Sequence, residues 1–142
     1  MPLFSHDTKV DALHGASLFA ALSRHELEEL AKVTEDLEFE PGKVLAREGE
    51  IGHEFFVILE GEVAVERDGQ EVRTLGSGDF FGEIALIWES ARRTATVVAR
   101  SHVRLFVLTR QAFRGLMAHH PDIERKVLEA LEQRLTEDFG SS

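Results

Sequence analysis

The run Gly82-Glu83-Ile84-Ala85-Leu86, with Arg93-Thr94-Ala95 beginning ten residues after the glutamate, interrupts a pattern of short strands. A turn glycine, one acid and one arginine stand there among apolar residues. A backbone that turns at a glycine and enters a short helix presents N–H donors and a positive partial charge to an anion. Arginine adds a planar fork that stays charged when partly buried. A carboxylate repels an anion but accepts from a hydroxyl, so the combination suits a small anion that carries a sugar. Glycine at 82 leaves room where backbone meets ligand.

On both sides of this run the sequence reads as strands. Pro41-Gly42 is a turn, and Val44-Leu45-Ala46-Arg47 is a strand. A glycine-bearing loop, Glu48 to Gly52, leads to a buried strand over Phe55 to Leu59, stopped by Glu60-Gly61. Val63 and Val65 share one face, with Glu62, Ala64 and Glu66 on the other. Asp68-Gly69 is a two-residue hairpin signal, with Val72 and Leu75 on the returning strand. Gly76-Ser77-Gly78-Asp79 is a further turn. Two strands follow the central run, Thr94 to Ala99 and Val103 to Leu108. Short strands at regular spacing with glycine turns predict an eight-stranded jelly-roll β-roll.

Helices flank this β segment. Residues 1–14 lack clear periodicity and are an arm or a short helix. Residues 15–34 read as helix, with Ser23 and Glu26 forming a capping box. Thr109 caps a helix carrying Phe113, Leu116 and Met117, which His119-His120-Pro121 ends. A final helix starts near Asp122 and carries Ile123, Val127, Leu131 and Leu135 at four-residue spacing. The expected fold is mainly β with flanking helices, an α+β arrangement in one domain over residues 1–142. Residues 1–38 form an N-terminal helical segment, 39–108 the β-roll and 109–142 two C-terminal helices.

Composition narrows the function. The chain has 142 residues and a net charge of −10, against a nucleic-acid surface, which needs excess Lys and Arg to displace counterions. With no Cys there is no disulfide framework, thiolate metal site or Cys nucleophile. The longest strongly apolar run, Phe55 to Leu59, is far short of the roughly 20 residues that span a bilayer. The N-terminus reads as a poor signal peptide. A soluble cytoplasmic protein without membrane contact is expected. His53 and His102 are isolated and His119-His120 lie at a helix end, so no metal site is expected.

Taken together, Leu18-Phe19, Leu22-Ser23, Gly49-Glu50-x-Gly52, Phe55-Phe56-Val57-Ile58, Gly61-Glu62-Val63, Gly78 through Leu86 and Arg93-Thr94-Ala95 resemble a cyclic-nucleotide-binding domain over roughly Leu18 to Leu135. The family includes the bacterial catabolite activator, the regulatory subunits of cyclic-nucleotide-dependent kinases and the tails of nucleotide-gated channels. The resemblance implies that residues 82–95 are a phosphate-binding cassette. Gly82 would then approach the phosphate and Glu83 accept from the ribose 2′-hydroxyl. Ile84 and Ala85 would lie where backbone N–H groups face the anion, and Arg93 would bind the exocyclic oxygens. Thr94, followed by Ala95, would lie between phosphate and purine. The ending Arg-(Ser/Thr/Ala)-Ala selects Arg93 over Arg92.

The chain departs from the family at Trp88-Glu89-Ser90-Ala91, which lacks the usual proline before the motif arginine; the site is expected to be shaped differently there. Leu131, Arg134 and Leu135 are candidates for a lid over the base. Thr94 resembles the residue of cyclic-GMP-responsive members, while the architecture favours cyclic AMP, which is the expected ligand ahead of cyclic GMP. No cofactor and no catalysis are expected. The output would pass to a homodimer partner, to an effector protein or to further parts of a longer chain. The alternatives are a domain of this fold that binds nothing, in which Glu83 and Arg93 form a structural salt bridge, and a small metal-dependent β-roll enzyme.

Overall fold

The structure is a computed structural model that describes backbone residues 6–140 and side chains 8–133. Eight strands form two four-stranded antiparallel sheets. They are β1 (Glu35–Phe39), β2 (Val44–Ala46), β3 (Glu54–Glu60), β4 (Val63–Arg67), β5 (Gln70–Leu75), β6 (Phe80–Phe81), β7 (Thr96–Ala99) and β8 (Val103–Thr109). The first sheet has the order β1-β8-β3-β6 and the second β2-β7-β4-β5.

The continuous apolar run of β3 follows from burial on both sides of its sheet. Phe56 and Ile58 face the other sheet, joined there by Val103, Leu105 and Val107 of β8. Phe55, Val57, Phe106 and Leu108 face the helices. The sandwich therefore has two cores that share one sheet. β5 is an edge strand and is exposed up to Leu75. Asp68 and Gly69 between β4 and β5 both have positive φ, at 52° and 78°, as a type I′ turn requires. Ala64 is buried although it points to the opposite face from Val63 and Val65.

The helical layer comprises α1 (His6–His14), a 3-10 turn at Ser17–Phe19, α2 (Arg24–Lys32), α3 (Arg110–His119) and α4 (Pro121–Gly140). The expected single helix over 15–34 is thus broken into the 3-10 turn and α2. The break comes at the Ser23 cap, because an N-cap residue must leave helical geometry. The sheet also begins earlier than residue 39: Glu35 to Phe39 pair with Val107 to Val103. Its pattern of alternating acids and apolar residues hid this strand at an edge of the sheet. Phe19 joins the layers, edge-on to Phe55 at 5.7 Å and tilted against Phe113 at 5.9 Å.

The capping box is present in full. The Glu26 amide donates to Ser23 Oγ at 3.1 Å and the Ser23 amide donates to Glu26 Oε1 at 2.8 Å. Lys126 of α4 donates to the same carboxylate at 2.7 Å, tying α4 to α2. Burial on its own raises the Glu26 pKa, but the bonds from Lys126 and Ser23 outweigh it and the net direction is downward. Its contribution to stability is therefore present above the unfolded-state value and lost as pH falls through the lowered one. Ser23→Ala removes one cap and should cost about 1 kcal/mol, read as a lower midpoint in urea unfolding.

Candidate functional site

A cleft of about 590 Å³ opens at one end of the sandwich, between the central run and the inner face of β4 and β5. Gly82 starts the turn that forms its floor. With φ 83° and ψ 17° it is left-handed, and it leads directly into a 3-10 turn over Glu83–Leu86. The Ala85 amide closes this turn on the Gly82 carbonyl at 3.1 Å. The first residues of such a turn have no carbonyl within it to bond, so Ile84 presents its amide at the turn's start. Glu83 is 5% exposed, and both carboxylate oxygens are buried. Leu86 anchors the turn in the helical core.

Arg93 comes from the other side. Its backbone is pinned in the Glu48–Gly52 loop: the Arg93 amide donates to the Glu50 carbonyl at 2.8 Å, and the Gly49 amide donates to the Arg93 carbonyl at 2.9 Å. The side chain runs inward. Nη2 donates to the Glu54 carbonyl at 2.8 Å, and the guanidinium lies 5.9 Å from the centre of the Phe56 ring. Phe56 is itself stacked on Phe81 at 4.6 Å. Burial lowers the Arg93 pKa, offset in part by the Glu54 carboxylate; an arginine so placed stays charged.

Two glycines make room for this group. A Cβ on Gly52 would meet Arg93 Nε at 2.5 Å, and one on Gly82 would meet Arg93 Nη1 at 2.5 Å. The guanidinium is thus held between two loops, each of which approaches it with bare backbone. Arg92 also lines the cleft, but it is exposed and its guanidinium is engaged by the loop, Nη1 donating to the Gly49 carbonyl at 2.7 Å.

Gly82, Glu83, Ile84, Ala85, Arg93, Thr94 and Ala95 all line the cleft. Thr94 is exposed there and Ala95 is buried. The loop 88–91 is closed as a turn, with the Ala91 amide donating to the Trp88 carbonyl at 3.3 Å, and Glu89 pairs with Arg114 of α3. A hydrogen bond and an ion pair thus hold the segment that lacks the proline. Leu131 lies in the helical core with Leu18, Phe19 and Phe113 and does not line the cleft. α4 packs on the Ser17–Phe19 turn and on α3. The side chains of Arg134 and Leu135 lie outside the described residues.

Sequence reasoning missed Arg67, Val72 and Arg73, which line the cleft from β4 and β5. Arg67 and Arg73 continue the inward alternation of Val63, Val65 and Leu75, since Arg73 pairs with Val65 and Leu75 with Val63. A charged residue on the inward face of an alternating strand was the available signal. Among the described residues, no cluster of three or more His, Cys, Asp or Glu side chains is placed to hold a metal, and no helix is long and apolar enough to cross a membrane.

The fold is a jelly roll with flanking helices, and its cleft brings a glycine-led 3-10 turn to an inward arginine, an arrangement suited to a small anion. Residues 36–120 match the cyclic nucleotide-binding domain family, and the chain belongs to that family. Domains of this family are regulatory, and membership implies a cyclic nucleotide ligand. The chain is 32% identical to a cAMP-dependent protein kinase regulatory subunit of Schizosaccharomyces pombe, over 80% of its own length and 27% of the relative's. It is 37% identical to a cGMP-dependent protein kinase of Eimeria tenella, over 83% of its own length and 11% of the relative's. It thus spans about a quarter or less of these relatives. Among solved structures it resembles the N-terminal domain of a transcriptional regulator from Streptomyces coelicolor A3(2), with a TM-score of 0.84 and 29% identity over 92% of this chain and 94% of that one.

Proposed function

We propose that the chain is a regulatory sensor that binds a cyclic nucleotide in the cleft over residues 82–95 and relays occupancy through α3 and α4. The observation that carries this is the Arg93 guanidinium held between bare backbone at Gly52 and Gly82, in a cleft that the buried Glu83 also lines. Arg93 Nη1 and the Ile84 amide take the exocyclic phosphate oxygens. Glu83 accepts from the ribose 2′-hydroxyl. Ala85 closes the turn, and Thr94 and Ala95 form the wall between phosphate and base. Calorimetric titration with cyclic AMP and cyclic GMP tests this; absence of binding of either at high micromolar ligand overturns it.

Two bases compete for the cleft. The expectation of cyclic AMP rests on architecture. Cyclic GMP is supported by side chains: Thr94 and Arg73 both line the cleft, and a guanidinium is suited to donate to guanine O6 and N7. Cyclic GMP is therefore the favoured reading, and tighter binding of cyclic AMP in the same titration would reverse it.

The relay follows from where α4 sits. The candidates for covering the base from α4 are Leu131, Arg134 and Leu135; if it is Leu131, binding draws that side chain from the helical core and loads the Lys126–Glu26 tie between α4 and α2. Nucleotide then shifts a pre-existing equilibrium by its differential affinity for the two arrangements. In this reading the protein is cytoplasmic, is not an enzyme, and acts on a second copy of itself or an effector protein rather than on nucleic acid or a membrane. Glu83→Ala should bring ribose and 2′-deoxyribose ligands to within about threefold of each other by removing the acceptor for one charged hydrogen bond. Paired titrations of the two ligands check it.

A further inference from the structure

Arg110 stands at the first position of α3, directly after the Thr109 cap. A cation is disfavoured there, because the N-terminal end of a helix carries positive partial charge. The Thr109 hydroxyl accepts from the Ala112 amide at 3.1 Å and caps the helix, so Arg110 is not needed for capping. Its side chain turns away from α3 instead. Nη1 donates at 3.2 Å to each of three carbonyls, those of Gly52, Ala85 and Trp88. Nη2 lies 3.0 Å from His53 Nδ1. Arginine only donates, so His53 Nδ1 accepts and its ring proton sits on Nε2. The Arg110 amide adds a bond to the His53 carbonyl at 2.8 Å.

Ala85 and Trp88 lie at the end of the cassette turn opposite to its anion-facing start. The last carbonyls of a helical turn have no partner within it and carry negative partial charge. Gly52 belongs to the loop that packs on the other side of Arg93. One guanidinium therefore joins both loops that define the Arg93 pocket to the first residue of α3. One turn further along α3, Arg114 pairs with Glu89 of the cassette. α4, in contrast, is fastened to α2 through Lys126 and Glu26.

We propose that Arg110 is a positioning residue that makes the cassette and α3 one mechanical unit, so that a ligand closing on the anion-facing end of the turn moves α3 with it. Its effect on affinity rests on the sensor reading above; its effect on the cassette backbone does not. Trp88 is the single tryptophan of the chain and is 47% exposed, so its emission reports on the segment whose carbonyl Arg110 holds.

The test compares wild type, Arg110→Ala and Arg110→Lys in the full chain. Without ligand, hydrogen exchange at the Ala85, Ile87 and Trp88 amides should accelerate at least tenfold in Arg110→Ala relative to the core amides of β3 and β8. Equal acceleration of cassette and core, or none, overturns the proposal. With cyclic AMP and cyclic GMP, Arg110→Ala should bind at least tenfold more weakly and lose the Trp88 emission change. Binding within twofold of wild type with the full emission change overturns it. Lysine retains the charge but has no fork to span four acceptors, so Arg110→Lys should keep the wild-type melting midpoint and still show at least a fivefold loss of affinity; full recovery of affinity overturns the role of the fork. If wild type binds neither nucleotide, the sensor reading fails and the exchange comparison alone decides the role of Arg110.

Discussion

Arg93→Ala is expected to weaken cyclic-nucleotide binding by about 10- to 150-fold, the equivalent of about 1.5–3 kcal/mol for hydrogen bonds that involve a charged group. The Arg93 guanidinium lies between the Gly52 and Gly82 backbones, and those backbones hold it ready for a phosphate before ligand arrives. Little side-chain freedom is lost on binding, so most of the interaction appears as affinity. Arg93→Lys should recover only part of the loss, because an ammonium cannot span two phosphate oxygens while also holding the Glu54 carbonyl. Arg92→Ala is the control. Arg92 also lines the cleft, but its guanidinium is committed to the Gly49 carbonyl, so its loss should change affinity by less than about threefold. Calorimetry on the three variants checks the set. A damaging Arg92→Ala beside a silent Arg93→Ala would show the motif arginine to be misassigned by one position.

Gly82→Ala should destabilise the protein by about 2–5 kcal/mol and abolish binding at ligand concentrations that saturate wild type. Two costs combine. A left-handed residue with a Cβ costs about 1–2 kcal/mol, and forcing a methyl into a packed site costs about 1–3 kcal/mol. The contact is specific: the new Cβ would meet Arg93 Nη1 at 2.5 Å and the Glu54 carbonyl oxygen at 2.8 Å. The first atom can swing away, and that displaces the phosphate-binding group. The second is backbone of β3, where Glu54 pairs with Thr109 of β8, and has less room to move. Gly82→Asn separates the two costs. Asparagine tolerates left-handed geometry yet still carries a Cβ. Stability near that of Gly82→Ala would assign the loss to crowding, whereas recovery to within about 0.5 kcal/mol of wild type would assign it to backbone strain. Urea unfolding measures both.

How far the molecule was legible in its sequence depended on the range of the interaction. The Ser23–Glu26 box, the Thr109 cap and the Asp68-Gly69 hairpin are local chemistry, and each stands where its residues predict it. β1 was harder to see. Its Glu-Asp-Leu-Glu-Phe run offers two apolar residues, and its partner, β8, is the last strand of the chain. Leu131 has the helical spacing of a core residue and of a lid alike, and packing against Phe19 and Phe113 decides which role it takes in this arrangement.

The cleft-lining residues between 82 and 95 were readable because a short loop carries its glycine, acid and arginine close together in sequence. The resemblance, through the family's Arg-(Ser/Thr/Ala)-Ala ending, also favoured Arg93 over Arg92. What spacing could not give was the reason for Gly52, thirty positions upstream of Gly82, or the role of Arg110. Gly52 is explained by a guanidinium that reaches it from Arg93, and Arg110 by three carbonyls drawn from two separate loops. Sequence by itself determined the strand-and-turn plan, the helix caps and the run over 82–95 that lines the cleft, because hydrophobic alternation, capping and turn chemistry act over a few residues. Only the tertiary structure decided which backbone surrounds Arg93, which arginines join the cleft and where α4 rests. Those outcomes depend on atoms brought within hydrogen-bond distance by two sheets and a helical layer, and no local pattern records them.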